Sequence, residues 1–479
     1  MTGKTASFIK KNDRFELDVT GTDKNGNGIA HAPNGLTVFV KNTCAGDRVL
    51  AKIIKVLKSY AVAIPEALLQ PSADRSADGC AVSGKCGGCS FGHITYEAEC
   101  RFKADSINAA FERIGGLSLR LTEFHPSPSA HAYRNKAVYP VGRGKDGAPV
   151  SGFYAPVSHR IVPHKECEIA NSAFPPLRDA ILRFAEENSI APYDEERGAG
   201  ILRGIYMRSA ADTGAPKGAI VVTLILAARH FAASENKRQA LEDEFCRRIV
   251  HKFPQVCSVL VNVNTRPGNA VLGKEWRVLY GDGYLYDELC GKRFRVSPAA
   301  FWQVNHDGAE LLYGIAARFA APQPGETLLD LYCGTGSVGL CIAREETRLV
   351  GVEIVPEAVK DAAYNAQING VNAEFLCLDA AYALDDARLA ALQPDIITID
   401  PPRKGCGTTA AEKIAALGAK RIVYISCDPA TLARDLAAFD SFGYTAVQAE
   451  GVDMFPRTGH VETIVLLTRS SQPSERRTL

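Results

Sequence analysis

The sequence predicts an α/β protein: a doubly wound sheet over residues 297–469, behind a small N-terminal β-barrel and an α+β middle region. Three observations point there. After Ser297, strand-like and helix-like runs alternate strictly: ETLLDLYCGTG, SVGLCIARE, RLVGVEIV, PEAVKDAAYNAQING, EFLCLDA, DIITIDPP and RIVYISCDP. Alternation of this kind lays down a parallel sheet. Residues 13 to 64 hold the short alternating runs FELDVTGT, LTVFVKN and RVLAKIIKVLKSYAVAIP, separated by the turn signals NGNG, PNG and AGD, a spacing suited to a barrel of about 60 residues. Between the two, strand-like AIVVTLILAARHF and SVLVNVN mix with helix-like ALEDEFCRRIVHKF.

In chain order, the expected parts are a barrel over 9–68, a central domain over 69–296, the doubly wound domain over 297–469 and a disordered tail over 470–479. Within the central domain, YEAECRFKADSINAAFERI from Tyr96 to Ile114 has the pattern of a helix that Gly115 and Gly116 end. A chain of 479 residues, 46% hydrophobic and 23% charged, has enough apolar material for several domains. The start, MTGKTASFIKKNDRF, lacks the apolar stretch of a signal peptide, and the longest apolar run, AIVVTLILAA from Ala219, is too short to span a bilayer. A cytoplasmic monomer with no membrane contact is therefore expected. Fourteen cysteines without a secretion signal argue for metal binding, catalysis or burial rather than disulfides. The formal net charge of +1 says little, although Lys52 to Lys58 and Arg203 to Arg208 are locally basic.

LLDLYCGTGSVGL sets Gly334, Gly336 and Gly339 after an apolar strand and at the start of a helix, where backbone must approach a ligand closely. Such a turn suits dinucleotide enzymes and methyltransferases alike. Asp330 at the end of the first strand, with Glu353 at the end of the next, favours S-adenosylmethionine: Glu353 would hold the ribose hydroxyls, and Asp330 with the glycine turn the amino-acid end. Asp379 in CLDA ends the third strand, on the adenine side. Ligands of open α/β sheets bind beyond the carboxyl ends of the strands, so the DIITIDPPRKG and IVYISCDP loops border the same crevice. The prolines after Asp400 stiffen its turn. Cys427, at a strand tip, is better placed for chemistry than Cys246 or Cys341 within expected helices; a buried thiol is the competing account.

CAVSGKCGGCSFGH supplies Cys80, Cys86 and Cys89. Three thiols need a fourth, and Cys167 in HKECEI is the choice, with Cys100 as rival. Spacing alone leaves zinc and an iron–sulfur cluster equally open.

Taken together, DLYCGTG, DPPRKG, SCDPATLARD and GHVETIVLL resemble the RNA uracil-C5 methyltransferases, most closely the branch acting on uridines of 23S ribosomal RNA, over essentially the whole chain. The resemblance implies an N-terminal TRAM barrel that binds RNA, a central domain with a [4Fe-4S] cluster on Cys80, Cys86, Cys89 and Cys167, and a Rossmann-like class I methyltransferase domain. It also implies that Cys427 adds to uracil C6, that Glu462 removes the C5 proton, and that Gln303, Tyr332, Glu353, Asp379 and Asp400 contact the cofactor. The partner would be 23S rRNA, its target uridine unstacked or flipped. Lys10, Lys11, Lys52, Lys55 and Lys58 mark the barrel's basic character, and Phe301, Trp302 and Tyr133 are either base-stacking aromatics or core. YRNKAVYPV and SGFYAPVSHRIV match family stretches that approach the RNA and the cluster. One departure stands out: Asp428 replaces the usual Asn, which predicts a raised Cys427 thiol pKa compensated by Arg403 or Arg434. Two other functions compete, a tRNA uracil-C5 methyltransferase and a non-catalytic iron–sulfur RNA-binding assembly factor.

Overall fold

The computed structural model describes residues 9–76, 79–211, 218–232, 235–268, 270–384 and 386–469; the tail expected over 470–479 lies outside them. The chain divides into two compact units. One comprises the residues up to Lys103 with Tyr154–Val162 and Phe455–His460, and the other Ala104–Phe153, Pro163–Met454 and the chain from Val461.

The first unit is built on a closed barrel of β1 (Arg14–Thr22), β2 (Asn27–His31), β3 (Thr37–Lys41), β4 (Arg48–Val56) and β5 (Tyr60–Gln70), in the order β1-β2-β3-β5-β4. Period-two alternation drives it: along β4, Val49, Ala51 and Ile53 point into a core shared with Leu17, Val19, Val38, Val40, Ala61 and Ala63, while Arg48 and Lys55 face outward. Closure pairs β4 with β1, which leaves no open edge in the barrel. The buried Asp47 carboxylate accepts from Arg75 Nε (2.8 Å) and the Ser72 amide (2.9 Å), tying the barrel to the segment that follows it. Turns then carry the chain through Cys80, Cys86 and Cys89 to α1 (Tyr96–Arg113).

The second unit has two large sheets. After β6 (Glu123–His125) come β7 (Lys136–Arg143), β8 (Pro149–Tyr154), β9 (Ile161–Pro163), most of which belongs to the first unit, α2 (Phe174–Glu187), β10 (Leu202–Ser209), β11 (Ile220–Leu226), α3 (Glu235–Lys252), β12 (Val256–Val263) and β13 (Glu275–Tyr280). Of the second unit's strands, β7, β8 and β10 to β13 form one sheet in the order β13-β12-β11-β10-β7-β8. The apolar run from Ala219 is β11, buried along its whole length in the centre of this sheet. Leu177, Ile181 and Phe184 of α2 and Phe245 and Ile249 of α3 pack with that sheet's apolar residues. A hairpin, β14 (Leu285–Leu289) and β15 (Lys292–Val296), leads on.

The other sheet collects α4 (His306–Ala320), β16 (Thr327–Leu331), α5 (Ser337–Ile342), β17 (Arg348–Glu353), α6 (Pro356–Ile368), β18 (Ala373–Cys377), α7 (Ala380–Ala383), α8 (Ala387–Ala390), β19 (Ile396–Ile399), α9 (Thr408–Ala416), β20 (Arg421–Ser426), α10 (Pro429–Ser441), β21 (Tyr444–Val452) and β22 (Glu462–Arg469). Its order is β18-β17-β16-β19-β20-β22-β21-β6. Strands β16 to β20 pair in parallel as the alternation predicts, and β19 and β20 are buried on both faces. The sheet is not parallel throughout: β22 runs antiparallel to both β20 and β21. No helix forms between Asp453 and Val461, and without a crossover consecutive paired strands run antiparallel. At the far edge β6 pairs in parallel with β21. No helix among the described residues is long and apolar enough to cross a membrane.

Candidate active site

The turn after β16 is drawn tight by its own side chains. Tyr332 (φ 64°), Gly334 (φ 55°) and Gly336 (φ 81°) alternate into the left-handed region. A Cβ at Gly334 would meet nothing within 4 Å, so the turn presents bare backbone to open space. Asp330, 1% exposed, sits beneath it: one carboxylate oxygen accepts from Thr398 Oγ1 (2.6 Å) and the other from the Gly339 amide (2.9 Å). A Cβ at Gly339 would lie 2.8 Å from that second oxygen, hence glycine. Burial, opposed by those two bonds and aided by the Glu353 charge, pushes the Asp330 carboxyl up to about 7. Glu353, half-buried at the end of β17, accepts from the Gly334 amide (3.0 Å) and the Val355 amide (2.9 Å). Asp330 and Glu353 thus both brace the glycine turn. Tyr332 is half-buried against the sheet core, and burial and then charges including that of Asp379 push its phenol up to about 12. Gln303 is buried, and its carbonyl accepts from Asn135 Nδ2 (3.0 Å), which fastens AFWQVN to YRNK.

The second group lies at the ends of β19 and β20 and the start of β22. Ser426 and Thr463 are register partners, so Cys427 and Glu462 leave neighbouring strands side by side. Asp400 ends β19, and Arg403 follows it by three residues. Burial, then the charges of Glu462 and Asp400, push the Cys427 thiol up to about 11, and the Arg403 guanidinium opposes them. Burial and then Asp400 raise Glu462 well above the usual carboxylate range, again against Arg403. Asp400 itself is pushed up to about 7 by burial and then by Asp330. Asp330, Asp400 and Glu462, buried near one another, each oppose the ionisation of the next.

Two expectations need correcting. Asp428 is not the carboxylate that raises Cys427; its side chain caps α10, accepting from the Ala430 and Thr431 amides at 3.0 and 3.1 Å. Of the two arginines proposed to compensate, Arg403 acts on the thiol, whereas Arg434 is spent on Asp435 and the Lys404 carbonyl. The aromatics also separate: Trp302 donates to Asp287 (3.0 Å) and is core, Tyr133 is buried, and Phe301 is 65% exposed. Sequence reasoning missed Tyr313, a buried tyrosine of α4 whose hydroxyl stands 3.3 Å from Ser337 Oγ, beside Asp400 and Gln303. It missed Asp435 as well. Both are polar groups within apolar helix faces, and that mismatch was the available signal.

Of the cluster cysteines, Cys80, Cys86 and Cys89 lie half-buried on the turns of the first unit, with the Gly88 amide 3.4 Å from Cys86 Sγ. A Cβ at Gly87 would lie 2.9 Å from the Tyr154 carbonyl, so glycine is needed for that close approach. Cys167 belongs to the second unit and is half-buried against its core; Cys100 is half-buried on α1. Lys10, Lys11, Lys55 and Lys58 are exposed on the barrel, and Lys52 lies 3.9 Å from Glu66. Outside these groups, Glu123, His125 and Glu450 bring three possible metal ligands together. Arg318 already binds the Glu450 oxygen that faces His125, at 2.7 Å, which makes this an ion-pair network.

The family model for the TRAM domain matches residues 10–65, and that for tRNA (uracil-5-)-methyltransferase matches residues 289–470. A protein of Clostridium tetani named "uncharacterized RNA methyltransferase" is 35% identical over 461 residues, 96% of this chain and 97% of its own. One of the same description from Bacillus cereus is 36% identical over 473 residues, 98% and 99% of the two chains. The chain belongs to the RNA uracil-C5 methyltransferase family. The fold agrees: the crystal structure of Pyrococcus abyssi tRNA (uracil-54, C5)-methyltransferase with S-adenosyl-L-homocysteine superposes with a TM-score of 0.74 at 22% identity, over 95% of this chain and 100% of that one. In this uracil-C5 methyltransferase family member the TRAM match coincides with the closed barrel. The methyltransferase match runs from the end of β14 through β22 and contains Cys427, Glu462, Asp400 and the glycine turn.

Proposed function

We propose that this methyltransferase transfers a methyl group from S-adenosylmethionine to C5 of a specific uridine in 23S rRNA, with Cys427 as nucleophile and Glu462 as base. The observation that carries the reading is the convergence of Cys427, Glu462, Asp400 and Arg403 at neighbouring strand ends. Uracil C5 is too weak a nucleophile to be methylated directly. Cys427 releases its thiol proton to solvent and adds as thiolate to C6, the C5=C6 electrons passing to C5 and the O4 enolate. S-adenosylmethionine, when bound, supplies the methyl group to that carbon. Glu462, once it has released its own proton to solvent, takes the C5 proton; the C–H electrons restore the C5=C6 bond and the thiolate departs. Because Cys427 is held as a thiol in the free protein, RNA binding and Arg403 must together draw out the thiolate.

The bare backbone at Gly334, with Glu353 at the strand end beside it, suits the cofactor, and Gln303, Tyr332, Asp379 and Asp400 complete the proposed set with Asp330 beneath. A [4Fe-4S] cluster is part of the same proposal: three thiols on a glycine-containing turn, one of them accepting an N–H···S bond, suit thiolate ligation, and Cys167 is the fourth ligand of the sequence reading. A clamp on the fold and on RNA placement is the role assigned to it, since methyl transfer from a sulfonium needs no electron.

The experiment is transfer of labelled methyl from S-adenosylmethionine to total RNA lacking 5-methyluridine, followed by separation of ribosomal and transfer RNA. Label as 5-methyluridine in the large-subunit RNA supports the proposal. Label in transfer RNA would instead favour the substrate named in the matching family model. No label in either, from cluster-replete protein, would favour the non-catalytic RNA-binding role.

A further inference from the structure

Asp435 is a wholly buried carboxylate in the apolar interior beside the sheet, and no step of the proposed reaction uses it. One oxygen accepts from Tyr424 Oη at 2.6 Å and from the Cys406 amide at 2.9 Å; the other accepts from Arg434 Nε at 3.0 Å and Nη2 at 2.7 Å. The same Arg434 Nη2 donates to the Lys404 carbonyl at 2.8 Å, and Thr431 Oγ1 donates to the Arg403 carbonyl at 3.3 Å. Three of these bonds, from the Cys406 amide and to the Lys404 and Arg403 carbonyls, join the Arg403–Cys406 segment to α10, the helix that begins two residues after Cys427; the Tyr424 and Arg434 bonds hold the Asp435 carboxylate in place, Tyr424 lying three residues before Cys427. Gly405 (φ 74°) permits the approach: a Cβ there would stand 2.3 Å from Asp435 Oδ2.

Burying a charge in apolar surroundings costs more than an apolar side chain of similar size would, so a fully bonded carboxylate here serves geometry more than stability. The geometry it fixes is that of the loop carrying Arg403, whose charge opposes those of Glu462 and Asp400 at Cys427. We infer that Asp435 is a positioning residue: it fastens the Arg403–Cys406 segment to α10 and so sets where the Arg403 guanidinium stands against the Cys427 sulfur. This rests on Cys427 being the nucleophile. The groups facing Cys427 are Glu462 from β22, Asp400 from the end of β19 and Arg403 from the following loop. Asp428, next in the chain, is turned into the first turn of α10.

The test is the pH profile of Cys427 alkylation by iodoacetamide in the intact holoprotein, read on the Cys427 peptide by mass spectrometry, for wild type, Asp435→Asn and Arg434→Gln. Asparagine keeps an acceptor for the Cys406 amide and loses the ion pair with Arg434. The expected result is an alkylation rate near neutral pH roughly tenfold lower for Asp435→Asn, the profile moving about one pH unit to the alkaline side. Arg434→Gln should move it the same way by less, and binding of S-adenosylmethionine should hold within about twofold in both. A purely structural role would lower thermal stability and leave the profile in place. Wild-type profiles in both variants would overturn the inference; if Asp435→Asn does not fold, Arg434→Gln decides alone. Cys427→Ser is run beside them: full methylation by that variant would refute the nucleophile assignment itself, a separate failure.

Discussion

Replacing Asp330 with asparagine tests whether a buried acid beneath the glycine turn governs stability. The folded carboxyl is pushed up to about 7 from an ordinary 3.8. That separation of roughly three pH units makes ionisation in the folded state cost about 4 kcal/mol. The folded chain keeps a proton that the unfolded chain releases. Stability from this group is therefore full below the ordinary value, falls as pH rises towards about 7, and is lost entirely above it. Between about pH 5 and about pH 8, roughly 2–3 kcal/mol of that loss should be seen. Asp400, raised partly by the Asp330 charge, changes in the same direction. In Asp330→Asn the amide can still accept from the Gly339 amide and donate to Thr398 Oγ1, so the turn should persist while its proton linkage disappears. Denaturant unfolding followed by tryptophan fluorescence at the two pH values gives the comparison. Parallel pH dependence in wild type and variant would refute the buried-acid account.

Cys427→Ala should abolish methyl transfer and leave S-adenosylmethionine binding by calorimetry nearly intact; equal loss of both would make Cys427 structural. Glu462→Gln should leave addition at C6 possible and block removal of the C5 proton, so that a denaturant-stable RNA–protein adduct accumulates on gels. An adduct from Glu462→Gln that survives a second change, Cys427→Ala, would contradict the assignment. Protein purified without oxygen should be brown and hold about four irons per chain; stoichiometric zinc without iron would refute the cluster.

The central strands of the methyltransferase sheet were legible because strands buried on both faces need uninterrupted apolar runs, as in DIITI and RIVYIS. The Tyr96–Arg113 helix was legible from its glycine stop. β6 was not: three residues, Glu123–His125, carry no periodic signal and become a strand only by pairing with β21. The orientation of β22 was hidden for a similar reason, since direction depends on the connection and not on composition. At the site, the strand-tip positions of Cys427 and Asp400 followed from the pattern of runs. What the sequence could not supply was the aim of individual carboxylates. Asp428 reads as a charge beside a nucleophile and folds as a helix cap, and the pattern of α10 marks Asp435 as out of place without showing that it bonds Tyr424, Cys406 and Arg434.

The edge strand β6 has one more consequence, for the order in which the chain becomes a folded object during synthesis. Its partners, Glu450 to Val452, are translated more than 300 residues later, and its His125 waits for Glu450, 325 residues on. On a ribosome adding about 5–20 residues each second, that interval lasts tens of seconds. Throughout it the Glu123–His125 segment has no sheet to join. A nascent chain halted before Tyr444 would carry β6 unclaimed and lack the β21–β22 pair, so that the sheet is completed only once Arg469 has been made.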